Sequence, residues 1–567
     1  MTDRIETALA NTRAHLLSMR NAAGHWVGEL SSSALSTATA IVALHGVDAE
    51  KHTALIEAGA RWLVANQNAD GGWGDTTISK SNLSTTLLCW SALHLVGTRC
   101  PASEAWIVKQ VGSLKPGDIA RAVIARYGKD KTFSVPILML CCIGGTLGAN
   151  AWKRVLPLPF ELAALPRHWF GTVGMPVVSY ALPALIAIGY TRFKNAPPAW
   201  WNPLRWLRGV LWKRISPMLK TLQPSSGGYL EATPLTSFVT MALAAAGEKD
   251  HPCVPGAVAF LTRSMRADGS WPIDTNLATW GTTLSVKALG ELEPETREWL
   301  LGQQYQDVHP FTNAAPGGWA WTDLPGGVPD ADDTAGALIA LRTGDSEMGR
   351  IAAGITWLLD LQNRDGGMPT FCRGWGTLPF DRSSPELTAH ALLAWWLWLP
   401  ESLQSRIVSA TQRALNYLRN TQRADGSWIP LWFGNEHAKD EENPVYGTAM
   451  VVTYLSGTPA LAEQCGDLIQ RGRDYLLGQQ NADGGFGGDV NSPVTIEETA
   501  VAAWALLGGD ERTRKFALLA VDWLLSATKD GTHFPCAPIG LYFARLWYHE
   551  RLYPVVWTTQ ALRAARG

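Results

Sequence analysis

The 567-residue sequence predicts an all-α protein made of two α/α barrels, or toroids, around a hydrophobic cavity. Three observations predict it. A segment that ends a helix and runs into a Gln/Asp/Gly/aromatic turn recurs along the chain. The apolar residues before each turn follow helical spacing. Tryptophan is abundant, with 27 residues against 12 Tyr and 14 Phe, which points to a structural repeat or an aromatic cavity because a buried indole N–H needs a partner.

The clear copies of the turn are RWLVANQNADGGWG (61–74), FLTRSMRADGSW (260–271), WLLDLQNRDGGM (357–368), YLRNTQRADGSW (417–428) and YLLGQQNADGGFG (475–487). Weaker copies lie at 219–229, 317–321 and 527–534, and in the second half most neighbours are about 45 to 60 residues apart. That period fits two helices plus loops per unit. Glycine stops each helix because it accepts positive φ at no steric cost. Gln can bond backbone groups at the helix end. The next segments, such as LSTTLLCWSALHLVG (83–97), are rich in Ala and Leu with a period of 3.6, which excludes a β-propeller.

Composition excludes other classes. Charged residues are 17% and the net charge is −2, so neither disorder nor nucleic-acid binding is expected. The eight Cys form no CxxC pair and the first residues are polar, which reads as reduced thiols in a cytoplasmic protein. From 155 to 222 the repeat is lost. The charge-free stretch 169–191 is broken by Pro176 and Pro183, which argues against a membrane span. The run PPAWWNPLRWLRGVLWKR mixes four Trp with Arg and Lys, a composition suited to a membrane surface.

The chemistry is expected at GGWAWTDLPGGVPDADDTAGALIAL (317–341), where Asp330, Asp332 and Asp333 open a helix. Acidic residues at a helix start are ordinarily caps. Three carboxylates within four residues, if buried, cannot all ionise, so one keeps its proton. In a dry pocket such a group is a Brønsted acid strong enough for an alkene.

DADDTA resembles the DxDDTA motif of squalene–hopene cyclases, and the recurring turns resemble the QW motifs of triterpene cyclases. The resemblance implies that Asp332 donates the proton, supported by Asp330 and Asp333. SSPELTAH (383–390) resembles the family's SEDVTAH, which makes His390, as a protonated imidazole, the partner of the acid, with Glu386 at the family's Asp position. Aromatic faces that stabilise cations are implied at Trp280, Trp321, Trp432, Phe534 and Tyr542. The sequence departs from the family at Gly281, in the shortened stretch 369–383, in the polar insert after Trp432 and in total length. These departures leave substrate and product open.

The family's order implies a DxDD-bearing barrel from residues 1–10 and 258–567 and a second barrel from 11–257, the latter with the membrane-contact segment 155–222. The implied reaction cyclises squalene or a similar linear polyprene to a polycyclic triterpene without cofactor or metal. The enzyme is expected on the cytoplasmic side of the membrane as a peripheral, monotopic protein, and a homodimer is left open. Three other readings compete. A class II diterpene cyclase acting on geranylgeranyl diphosphate would need a phosphate site, for which Arg373 and Arg382 are the candidates. A protein prenyltransferase would need a zinc site. A non-catalytic toroid scaffold would leave the DxDD unexplained.

Overall fold

The computed structural model describes residues 2–128, 131–148, 150–165, 169, 182–342, 347–371, 381–541 and 545–567. Among them the regular secondary structure is helical apart from two short antiparallel ribbons.

The helices close into two rings. Ala278–Leu289, Ala331–Leu341, Pro385–Trp398, Pro444–Leu455, Ile496–Leu507 and Leu552–Arg566 pack each on the next, and the last returns to the first. An outer layer that includes Met348–Leu361, Gln404–Thr421, Gly466–Gln479, Glu511–Ala527 and the N-terminal helix Thr2–Ser18 packs outside them. The first half builds a second ring in the same way, from Ala34–Asp48, Leu83–Leu95, Lys131–Ile143, Leu182–Asn195 and Thr233–Ala245. The fold is therefore the expected all-α double toroid.

Each ring has its own buried core. The core of the 278–566 ring takes in Ile5 to Trp26. Phe260, Leu261 and Trp271, beyond residue 258, pack in the other core.

The recurring turn works as a staple, and its bonds explain its residues. Gln422 Nε2 donates to Gly426 O of its own turn (2.9 Å) and to Leu468 O of the following outer helix (3.1 Å). Gln223, Gln304, Gln362 and Gln480 make the same pair of bonds. The indole of Trp428 donates to Leu418 O (3.0 Å), as Trp73 does to Leu63 O and Trp271 to Leu261 O. The glycine is needed on two counts: Gly484 has φ +95°, and a Cβ there would lie 2.6 Å from Leu519 O. Buried backbone carbonyls are thus given partners while neighbouring outer helices are joined.

Candidate active site

In the 278–566 ring, the inner helices Ala331–Leu341, Pro385–Trp398, Pro444–Leu455 and Ile496–Leu507 each begin beside such a staple, whose backbone N–H bonds a threonine hydroxyl of the helix, and this places the aspartates. Asp330 N–H donates to Trp319 O (2.9 Å) and Ala331 N–H to Thr370 O (2.9 Å). Trp319 N–H in turn donates to the hydroxyl of Thr334 (2.9 Å). Asp330 is the N-cap: its carboxylate accepts from Asp333 N–H at 2.8 Å. With the cap duty taken by Asp330, Asp332 and Asp333 occupy the first turn.

The three carboxyls differ in surroundings. Asp330 and Asp333 are buried, whereas the Asp332 side chain keeps 19% of its surface accessible. Burial pushes Asp330 up to about 8. Burial, followed by repulsion from Asp330 and Asp332, pushes Asp333 far above the usual carboxylate range. A proton is therefore held within the cluster near neutral pH.

Asp332 Oδ1 lies 2.6 Å from Nδ1 of His390, on the helix Pro385–Trp398. Nε2 of the same ring lies 3.3 Å from Nζ of Lys287, on the helix Ala278–Leu289. The imidazole is fully buried and stacked on Tyr454 (4.3 Å between centroids, 11° between planes). Gly336 keeps the inner helices close, since a Cβ there would stand 3.0 Å from Thr283 Oγ1. The expected imidazolium is corrected here. Burial first, and the neighbouring Lys287 ammonium second, push His390 down to about 4, so the ring is neutral at neutral pH.

Glu386 sits one turn before His390 but turns to another task. It accepts from the hydroxyl of Ser384 and from the backbone N–H groups of Leu431 (2.8 Å) and Trp432 (3.4 Å). Burial raises it to about 7. It fixes the loop that carries Trp432 and bonds neither Asp332 nor His390.

The aromatic residues fall into separate groups. Trp321 and Trp432 both face Phe371 edge-on, at 5.8 and 6.1 Å, and with Val328 and Leu230 make one apolar wall just before Asp330. Trp280 belongs to a deeper set, against Phe433 (6.2 Å) and bonded through Nε1 to Tyr553 OH (3.2 Å). Tyr446 and Trp557 complete that set. Phe534 packs on His15 of the outer N-terminal helix (5.1 Å), apart from both groups. Tyr542 and Arg373 lie outside the described residues, and Arg382 is exposed.

Lys287, Tyr454, Phe433, Tyr446, Tyr553 and Trp557 were not among the residues expected from the sequence. Only Lys287 carried a readable signal, as the one charged residue of the helix ATWGTTLSVKAL. Among the described residues no group of three or more His, Cys, Asp or Glu is placed to hold a metal.

The model of the squalene–hopene cyclase N-terminal domain matches residues 9–181, and that of the C-terminal domain matches 274–566. This chain belongs to the squalene–hopene cyclase family. Within that family it is similar to a probable squalene–hopene cyclase of Sinorhizobium fredii, 24% identical over 89% of this chain and 87% of that one. The squalene–hopene cyclase of Bradyrhizobium diazoefficiens is also 24% identical, over 93% and 89%. Among solved structures, ent-copalyl diphosphate synthase from Streptomyces platensis shares the fold along the full length of both chains, with a TM-score of 0.59 at 18% identity. The squalene–hopene cyclase family membership makes the chain a class II terpene cyclase, an enzyme of the isomerase type that closes rings within one substrate.

Proposed function

We propose that this enzyme protonates the terminal alkene of a linear isoprenoid, squalene in the first place, and cyclises it to a polycyclic triterpene, with Asp332 as the donor. The observation that carries the reading is the contrast within the trio. Asp332 alone of the three aspartates has accessible surface, and its Oδ1 is engaged by His390 while Oδ2 is left to face a substrate. Asp330 and Asp333 hold a proton behind it and cannot reach a ligand. Proton transfer makes a C–H bond from the π electrons and leaves a carboxylate at Asp332, which the imidazole N–H stabilises. The wall formed by Trp321 and Trp432 offers π faces to the resulting cations.

A surface patch supports a hydrocarbon substrate delivered from lipid. Trp200, Trp201 and Trp206 are 80%, 71% and 74% exposed, next to exposed Leu204, Leu207 and Val210 and exposed Arg205, Lys213 and Arg214. No helix among the described residues is long and apolar enough to cross a membrane. We place this face on a membrane surface, the cytoplasmic one. At the end of that helix lies a pocket lined by Leu222, Tyr229, Leu230, Phe311 and Val328, which shares Leu230 and Val328 with the apolar wall of Trp321 and Trp432.

The test is direct. Detergent-solubilised protein is incubated with squalene and, separately, with geranylgeranyl diphosphate, and products are identified by mass spectrometry. Cyclic triterpenes from squalene are expected. Cyclised diphosphate with no squalene product would replace this reading with the diterpene one.

A further inference from the structure

Lys287 has no part in the proton transfer described so far, yet its position is costly. A lysine in the lumen of a helical ring loses hydration, and its burial lowers it to about 8 against the pull of Asp332 and Asp333. The rest of its helix carries no charge, and a leucine or methionine would fill the same space. Such a charge is informative when its contacts are specific.

The contacts are specific. Nζ lies 3.3 Å from Nε2 of His390, and it sits over the faces of Trp280 (5.6 Å) and Tyr454 (5.8 Å). The groups that meet it are Asp332 and Asp333 from the helix Ala331–Leu341, His390 from Pro385–Trp398 and Tyr454 from Pro444–Leu455. An ammonium has three N–H donors and no acceptor. Facing Nε2 it can only donate, so Nε2 must carry the lone pair and the ring proton must reside on Nδ1, the atom 2.6 Å from Asp332.

Building on the reading of Asp332 as proton donor, we propose that Lys287 is a positioning residue for the acid: its ammonium donates to His390 Nε2 and locks the neutral imidazole in the tautomer whose Nδ1–H points at Asp332 Oδ1. The acidic proton of Asp332 is thereby confined to Oδ2, the oxygen that His390 leaves free. After that proton has gone to the alkene, the Nδ1–H bond and the lysine charge one ring further on stabilise the carboxylate that remains. The same contacts set the lysine ammonium over a face of Trp280 (5.6 Å), so Trp280 serves as a seat for lysine rather than as a free face for substrate cations.

The experiment reads the tautomer first. Nitrogen-15 NMR of histidine-labelled, substrate-free wild type, with His390 assigned by its loss in His390→Gln, is expected to show a neutral ring protonated at Nδ1 throughout pH 6–7.5. A ring protonated at Nε2 in the wild type would overturn the proposal without need of a variant. In Lys287→Met, and in Lys287→Gln should the methionine protein not fold, the His390 signal should move to a tautomer mixture and titrate at higher pH. The kcat should fall about tenfold or more with KM little changed, while Lys287→Arg retains part of the rate. An unchanged His390 signal and an unchanged kcat in a folded Lys287 variant would refute the role of lysine alone, provided Asp332→Asn is inactive. An active Asp332→Asn would instead remove the reading on which it rests.

Discussion

Two helix starts in the same ring share one sequence plan and end in different chemistry. DADDTA opens the helix Ala331–Leu341 and TIEETA opens Ile496–Leu507. In both, the first residue caps the helix by accepting from the N–H three residues on, at 2.8 Å for Asp330 and 3.1 Å for Thr495. In both, a staple aromatic, Trp319 or Phe486, donates its N–H to the threonine hydroxyl at 2.9 Å. In both, two acids follow the cap. At the second start both acids are buried and bonded into the scaffold. Glu498 accepts from Asn435 (2.9 Å), Asn443 (3.0 Å) and Thr495, and Glu497, 1% exposed, accepts from Ala537 N–H (2.9 Å). At the first start Asp332 has a single imidazole partner and accessible surface. An acidic helix start alone is therefore a structural device. The first start differs by an accessible carboxylate beside a buried imidazole, and the donor role proposed for Asp332 rests on that difference.

The comparison can be broken most directly by exchanging the acids for their amides. Asp332→Asn should lower cyclisation by roughly a thousandfold or more, measured as product per enzyme by gas chromatography, while Glu497→Gln should leave the rate nearly unchanged. Equal losses in the two would mean that both starts act only as scaffold. His390→Gln should cost on the order of a hundredfold in kcat, since the donor remains but loses its oriented partner.

A pH experiment sharpens the contrast within the trio. Asp330 keeps its proton in the fold up to about 8, whereas an unfolded aspartate releases it near about 4. Between those values the folded chain binds more protons, so its contribution to stability is full below about pH 4 and is lost as pH rises through 8. The wild-type melting temperature should decline across that window, and Asp330→Asn, which keeps the cap, should flatten the decline. A slope identical to wild type would show that Asp330 is ionised in the fold. The smallest effect is expected at a staple. Gln422→Ala removes two bonds to carbonyls, about 2 kcal/mol, and should lower the melting temperature by a few degrees with activity retained.

The double ring was legible because its information is local: each turn states its Gln, its Gly and its aromatic in a dozen residues. The aspartates were legible because three acids in four residues are rare, and His390 because SSPELTAH resembles the family's SEDVTAH. What was hidden depended on which face of an apolar helix looks into the ring. Tyr446 and Tyr454 lie in an apolar helix, and Tyr553 and Trp557 in a run buried on every side, so periodicity could not separate lumen from packing. Phe534 matched a family position, but its ring meets His15. The polar insert after Trp432 read only as a departure, yet it spans the two rings: Lys80 bonds Glu436, and Arg126 and Arg545 both pair with Glu441, at 3.2 and 3.1 Å. Its purpose could not be read because its first-ring partners, Lys80 and Arg126, lie 356 and 315 residues upstream in sequence.

The glutamine staples carry a further consequence. Each clasps its own turn to the next helix on the outside of the hoop, using only backbone oxygens of the neighbour. The hoop is thus indifferent to which side chains point inward. Residues facing the hollow can be exchanged, and new ring patterns selected, without loosening the girdle that keeps the walls upright.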